Sequence, residues 1–149
     1  METNKKELFF KCLDEINAKI DQYQSRMDQI KQSMDANGIK TDYDEDNKGE
    51  MLSDFERHTE HLSEAQEMKE TLQKVDPQLT NKAVGFGSVV ETDERYYFIA
   101  VPLGEINMDT GNTIYAISTD APIYEVLQNK KEGDTFTFND KEHTIKGVA

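Results

Sequence analysis

Between Leu8 and Met34 the apolar side chains that keep a regular order are Phe9, Leu13, Ile16, Ile20, Tyr23, Met27, Ile30 and Met34. The steps alternate four and three along the whole run, and the positions between are mostly Lys, Asp, Glu, Gln and Ser. This is an a/d heptad seam, narrower than the stripe of a helix lying on a globular core, and it predicts a coiled-coil helix. Asn37-Gly38 stops it, since both residues tolerate the left-handed conformation that ends helices. A second helical pattern runs through Met51, Phe55, Leu62, Ala65 and Leu72, with Met68 and Val75 alongside. Its start is read from two possible reciprocal caps, Asn47 with Glu50 or Ser53 with Glu56. It ends before Pro77, which disfavours helix in the residue ahead of it. Two seams joined by a connection of roughly ten residues pack antiparallel, so a helical hairpin is expected over residues 1–76.

After Pro77 the period shortens. Short β-branched or aromatic runs cover 84–91, 95–101, 113–117, 135–138 and 143–148, bounded by Gly, Asn, Asp and Pro. Pro122 to Lys130 reads as one short helix with proline in its permitted first turn. Asn139-Asp140 suits a tight hairpin turn. Residues 77–149 are therefore expected to form a small β-rich domain, and the chain as a whole an α+β protein.

Charge changes the picture next. Thirty acidic residues against seventeen basic ones leave a formal net charge of −13 over 149 residues. That balance argues against a binder of free nucleic acid, where phosphates are neutralised by clustered Lys and Arg. Acidity of this order also simply keeps a protein soluble. The single cysteine, Cys12, excludes an internal disulfide and reads as a small core residue. METNKKELFF holds no long apolar run, so no signal peptide is expected, nor is any membrane span, and the expected compartment is the cytoplasm.

Asp42, Asp44, Glu45 and Asp46 crowd four carboxylates into five positions at the turn of the hairpin. Like charges so close repel unless a cation intervenes, and Mg²⁺ prefers such hard oxygen ligands. The bland alternative is that acidic residues favour a solvated turn and the start of the second helix. His58 and His61 share a helix face near Glu60 and Glu64, an arrangement more often solvated than metal-binding. Gly85-Phe86-Gly87 is too short for a phosphate loop and marks a bulge or a close backbone approach. No nucleophile–base constellation is visible.

The C-terminal words are Val84-Gly85-Phe86-Gly87-Ser88-Val89-Val90, Tyr97-Phe98-Ile99-Ala100-Val101, Ile117-Ser118-Thr119-Asp120-Ala121-Pro122-Ile123, and Leu127-Gln128-Asn129-Lys130-Lys131-Glu132-Gly133-Asp134. In order and spacing they resemble the FKBP-like domain of the Gre transcript cleavage factors, and with the preceding hairpin the resemblance covers nearly the whole chain. Ala121 stands where that family has Ser, and Asn129 where it has Gly. At the tip, Asp42 and Glu45 keep the family's Asp-x-x-Glu spacing, but Asp44 sits between them and Asp46-Asn47-Lys48-Gly49 follows.

The resemblance implies a transcription elongation factor that binds bacterial RNA polymerase. Ser118, Asp120, Pro122 and Ile123 would dock at the rim of the secondary channel, and the tip would reach the active centre. There Asp42 and Glu45, with Asp44 and Asp46 beside them, would help retain a Mg²⁺ ion shared with the polymerase during cleavage of backtracked RNA. The polymerase would be the enzyme, nascent RNA would be met only inside that complex, and this chain would act as a monomer. The alternative within the same architecture is a channel-occupying regulator or inhibitor without cleavage activity. A peptidyl-prolyl isomerase or chaperone is a further alternative, although the chain has no Trp for the usual aromatic pocket. A plain coiled-coil interaction protein is the last.

Overall fold

The computed structural model describes residues 4–36 and 42–149, without the side chains of 36 and 42–48. The order is α1 (Lys5–Ala36), α2 (Asp42–Leu72), β1 (Val89–Thr92), β2 (Tyr96–Ile99), β3 (Gly104–Asn107), β4 (Thr113–Ile117), α3 (Pro122–Leu127), β5 (Thr135–Phe138) and β6 (Lys141–Val148). The expected class holds: a long helical hairpin precedes a six-stranded mixed sheet. The chain divides into two compact units, one of residues 14–69 and one of residues 1–13 with 70–149.

In the hairpin unit the seam residues of α1 face inward as the heptad order requires. Ile16 and Ile30 are buried, Ile20, Tyr23, Met27 and Met34 are half-buried, and most intervening positions are exposed. On α2, Leu62 and Ala65 are buried and Met51, Phe55, His58 and Met68 half-buried. The arms meet through Tyr23, which stacks on His61 with ring centroids 5.4 Å apart and meets His58 edge-on at 6.2 Å. The His58 Nδ1–H donates to the Asp54 carbonyl at 2.8 Å, which fixes that ring's orientation. Helix α2 begins at Asp42, earlier than either capping pair places it. The acidic run favours this early start, because carboxylates near a helix N-terminus complement its macrodipole.

In the second unit the strands run in the order β3-β4-β2-β1-β6-β5, with β2 and β4 parallel and every other pair antiparallel. Val90, Tyr97, Ile99, Phe136 and Ile145 form a core cluster with Leu127 of α3. Val89 and Phe98, paired in register and fully buried, point to the other face by the alternation of the pleat. The same unit buries Leu8, Phe9 and Cys12 of α1, and Leu72 and Val75. The core role expected of Cys12 is what its complete burial gives. A sheet buried on both faces explains why β2 reads as a continuous apolar run. Lys5 is buried too, donating from Nζ to the Leu79 carbonyl at 2.9 Å. Desolvation lowers its pKa, with Asp76 opposing.

Three local expectations change. Residues 84–88 are not strand: Ser88 closes a turn, its Oγ accepting from Gly85 N at 3.0 Å and donating to Gly85 O at 2.7 Å. Within it Gly87 takes φ +87° and donates to the Ile99 carbonyl at 2.6 Å, the close backbone approach that the paired glycines suggest. Strand β3 was not expected, because only Ile106 of its four residues is both apolar and buried, as suits an edge strand. The helix at Pro122 stops at Leu127, and Asn129 follows with φ +65°, a conformation asparagine tolerates in place of glycine. The hairpin turn is as expected, with Asn139 and Asp140 both at positive φ between β5 and β6.

Candidate functional site

Two regions carry the candidate residues. Asp42, Asp44, Glu45 and Asp46 occupy the opening of α2, but their side chains lie outside the described residues. Among the described residues no group of three or more His, Cys, Asp or Glu is placed to hold a metal. His61 reaches Glu64 at 3.7 Å, and both histidines of α2 are engaged with the Tyr23 ring.

The second region is the loop that leaves β4 and enters α3. Ser118 accepts at its Oγ from the Asp120 N–H at 3.2 Å, and its carbonyl accepts from the Ala121 N–H at 3.2 Å. This compact serine turn sets up Ala121 in extended conformation and Pro122 at the first helical position. Asp120 and Pro122 are exposed, whereas Ser118 and Ile123 are half-buried. The four residues named as a docking set thus share one surface loop, with Ile123 turned toward the sheet cluster.

Behind Ile123 lies a cleft of about 200 Å³ that sequence reasoning did not find. Tyr97 of β2, Ile123 of α3 and Phe136 and Phe138 of β5 are its apolar walls; Thr92, Glu94, Arg95, Asn139, Lys141 and His143 complete it. His143, only 8% exposed, stacks on Phe136 with centroids 5.2 Å apart. Its Nδ1–H donates to Asp93 Oδ1 at 3.2 Å, and the Thr144 N–H donates to the same oxygen at 3.2 Å. Partial desolvation pulls the Asp93 carboxyl upward, but those donors outweigh it and hold it below the ordinary carboxylate range. The Lys141 ammonium hydrogen-bonds Glu94, lowering the Glu94 pKa and raising its own. Burial raises the Tyr97 phenol, so that hydroxyl stays protonated at neutral pH. Arg95 lies over the Tyr115 ring, 4.7 Å from its centroid.

The cleft brings together residues from five elements, which is why linear reading passed over it. Phe136 and His143 stand apart in the sequence, and only the β5–β6 register, which pairs them, makes them neighbours.

No family model matches the chain, and no curated protein matches it. Among solved structures, that of the transcription factor Gfh1 is similar at 16% identity and a TM-score of 0.34, over 96% of this chain and 94% of that one. A likeness at that score establishes neither fold nor function. No helix among the described residues is long and apolar enough to cross a membrane.

Proposed function

We propose that this chain is a cytoplasmic transcription factor of the Gre type, which binds bacterial RNA polymerase and stimulates cleavage of backtracked RNA. The observation that carries the reading is an acidic run opening the second arm of a helical hairpin, in one chain with a sheet unit that bears the family's words in order. Residues 14–36 alone make about 35 Å of helix at 1.5 Å per residue, a lever able to carry charge away from its unit's base.

The division of labour follows from the chemistry each part offers. The loop of Ser118, Asp120, Pro122 and Ile123 would dock on the polymerase at the rim of its secondary channel. The hairpin would enter that channel and bring the acidic run to the active centre. Magnesium takes hard oxygen ligands and commonly only one or two protein carboxylates. Asp42 and Glu45 supply that donor set and would help hold the ion, which when bound activates water for two-metal hydrolysis. The chain would act as a monomer, complete an active centre it does not itself contain, and meet RNA only there.

A second reading keeps the partner and reverses the effect. Asp44 between the pair and Asp46 beyond it add negative charge that could hold the ion in an unproductive position. The factor would then occupy the channel without supporting cleavage.

The experiment is a stalled, backtracked elongation complex with end-labelled RNA, incubated with the full chain in Mg²⁺. Short 3′ fragments that appear with the wild type and fade with Asp42→Ala and Glu45→Ala would support the cleavage factor. Competition with a known channel-binding factor but no fragments would favour the second reading. Neither fragments nor competition would refute both.

A further inference from the structure

We propose that the cleft between α3 and the β5–β6 hairpin receives one aliphatic side chain of a partner's extended segment, with the carboxylate of the next residue held by Arg95. The inference stands whether or not the polymerase is that partner.

Size makes the first selection. Pockets for drug-sized ligands run from about 300 to 1,000 Å³. This cleft, at about 200 Å³, has room for a side chain and little more. Its apolar walls, Tyr97, Ile123, Phe136 and Phe138, are what an aliphatic group requires on leaving water. One of those walls is held in place: Phe136 is stacked against His143, and His143 is tied to Asp93. A preformed pocket spares the occupant the ordering of the residues around it.

Charge makes the second selection. Acids outnumber Lys and Arg by thirty to seventeen over the chain, yet the cleft lining carries Arg95 and Lys141 against Glu94 alone. Lys141 is matched by Glu94, and the His143 ring is hydrogen-bonded to Asp93. Among the described residues no ion pair engages Arg95, whose guanidinium rests on the Tyr115 ring at the exposed rim. One of its donors serves the Tyr97 hydroxyl, and the rest of the five-donor fork is left for a planar carboxylate. The complementary ligand is therefore apolar at one position and anionic at the next. Ile123, which follows Pro122 in the docking loop, is itself a wall of the cleft, so a segment lying along that loop would bring its side chain beside the cleft.

The test titrates the isotope-labelled full chain with blocked tripeptides, acetyl-Ala-Leu-Asp-amide, its Leu-to-Ala analogue and its Asp-to-Asn analogue, and with sodium acetate. Resonances of Ile123, Tyr97, Phe136 and His143 are expected to shift saturably with the first peptide. The Asn and Ala analogues are expected to bind about tenfold more weakly each, the scale of one charge-assisted contact or one buried aliphatic group. Arg95→Gln should reduce the acidic peptide to the affinity of the Asn analogue and leave that analogue unchanged. Lys141→Gln should have the smaller effect, since Glu94 already occupies Lys141. The proposal is overturned if no peptide shifts the cleft resonances saturably at millimolar concentration. It is equally overturned if the Asp and Asn peptides bind alike, or if acetate alone reproduces the peptide's shifts.

Discussion

Gly85 and Gly87 flank Phe86 in one turn, yet the structure assigns them different costs on substitution. At Gly87 the backbone sits at φ +87°, where an L side chain is strained by roughly 1–2 kcal/mol. A Cβ there would meet Val75 Cγ1 at 3.6 Å, an ordinary van der Waals contact, so sterics add nothing and the penalty is conformational. At Gly85 a Cβ would meet nothing within 4 Å and φ is not positive, so alanine should be neutral or slightly stabilising through a less flexible unfolded chain. We therefore expect Gly87→Ala to destabilise the sheet unit by about 1–2 kcal/mol and Gly85→Ala to change it by less than about 0.5 kcal/mol. The assay is native-state amide exchange at Val89 and Ile99, whose N–H groups bond to Ala149 and Ser88 within the same unit. Reading the unit directly avoids assuming that a two-unit chain unfolds in one step. Equal losses at both positions, or the larger loss at Gly85, would refute the reasoning.

Two further outcomes are expected. Tyr23→Ala should weaken the hairpin by about 1 kcal/mol or more, because it removes the ring that meets both His58 and His61, while Tyr23→Phe keeps that ring and should be near neutral; exchange at Ile20 and Met27 reports it, and equal effects of the two variants would sink the idea. The carboxyls of Asp93, Glu94 and Asp109 all titrate below their ordinary range in the folded chain, so the unfolded chain binds more protons as acid is added. The stability they contribute is therefore full above the ordinary carboxylate range and lost as pH falls through it toward the lowered folded values. Urea midpoints measured across that range should drop, and drop less at high salt; a flat acid limb would contradict the assignment.

Local periodicity determined most of the architecture. The heptad order placed the seam of α1 residue by residue, because a helix repeats its own geometry and needs no distant partner to say which side is apolar. Strands β4 and β5 and the turn at Asn139-Asp140 were equally legible, the turn because few residues accept two successive positive φ angles. The acidic run at Asp42 to Asp46 and the ordered motif words are also properties of the linear chain.

What only tertiary structure decided was everything that depends on which strands become neighbours. Strand β3, with one buried apolar residue, exists because β4 offers it an edge to pair with, and the parallel match of β2 to β4 has no local signal. The start of α2 at Asp42 was missed because two plausible caps lay downstream, and side-chain capping is only one of the terms that set a helix end. The cleft depended on it most. Tyr97, Ile123, Phe136 and His143 are each ordinary in sequence, and they become a site when the β5–β6 register and the packing of α3 bring four separate elements to one place. Periodicity along a chain can say which side of an element is apolar; the residue that will face it across a gap is chosen by the fold.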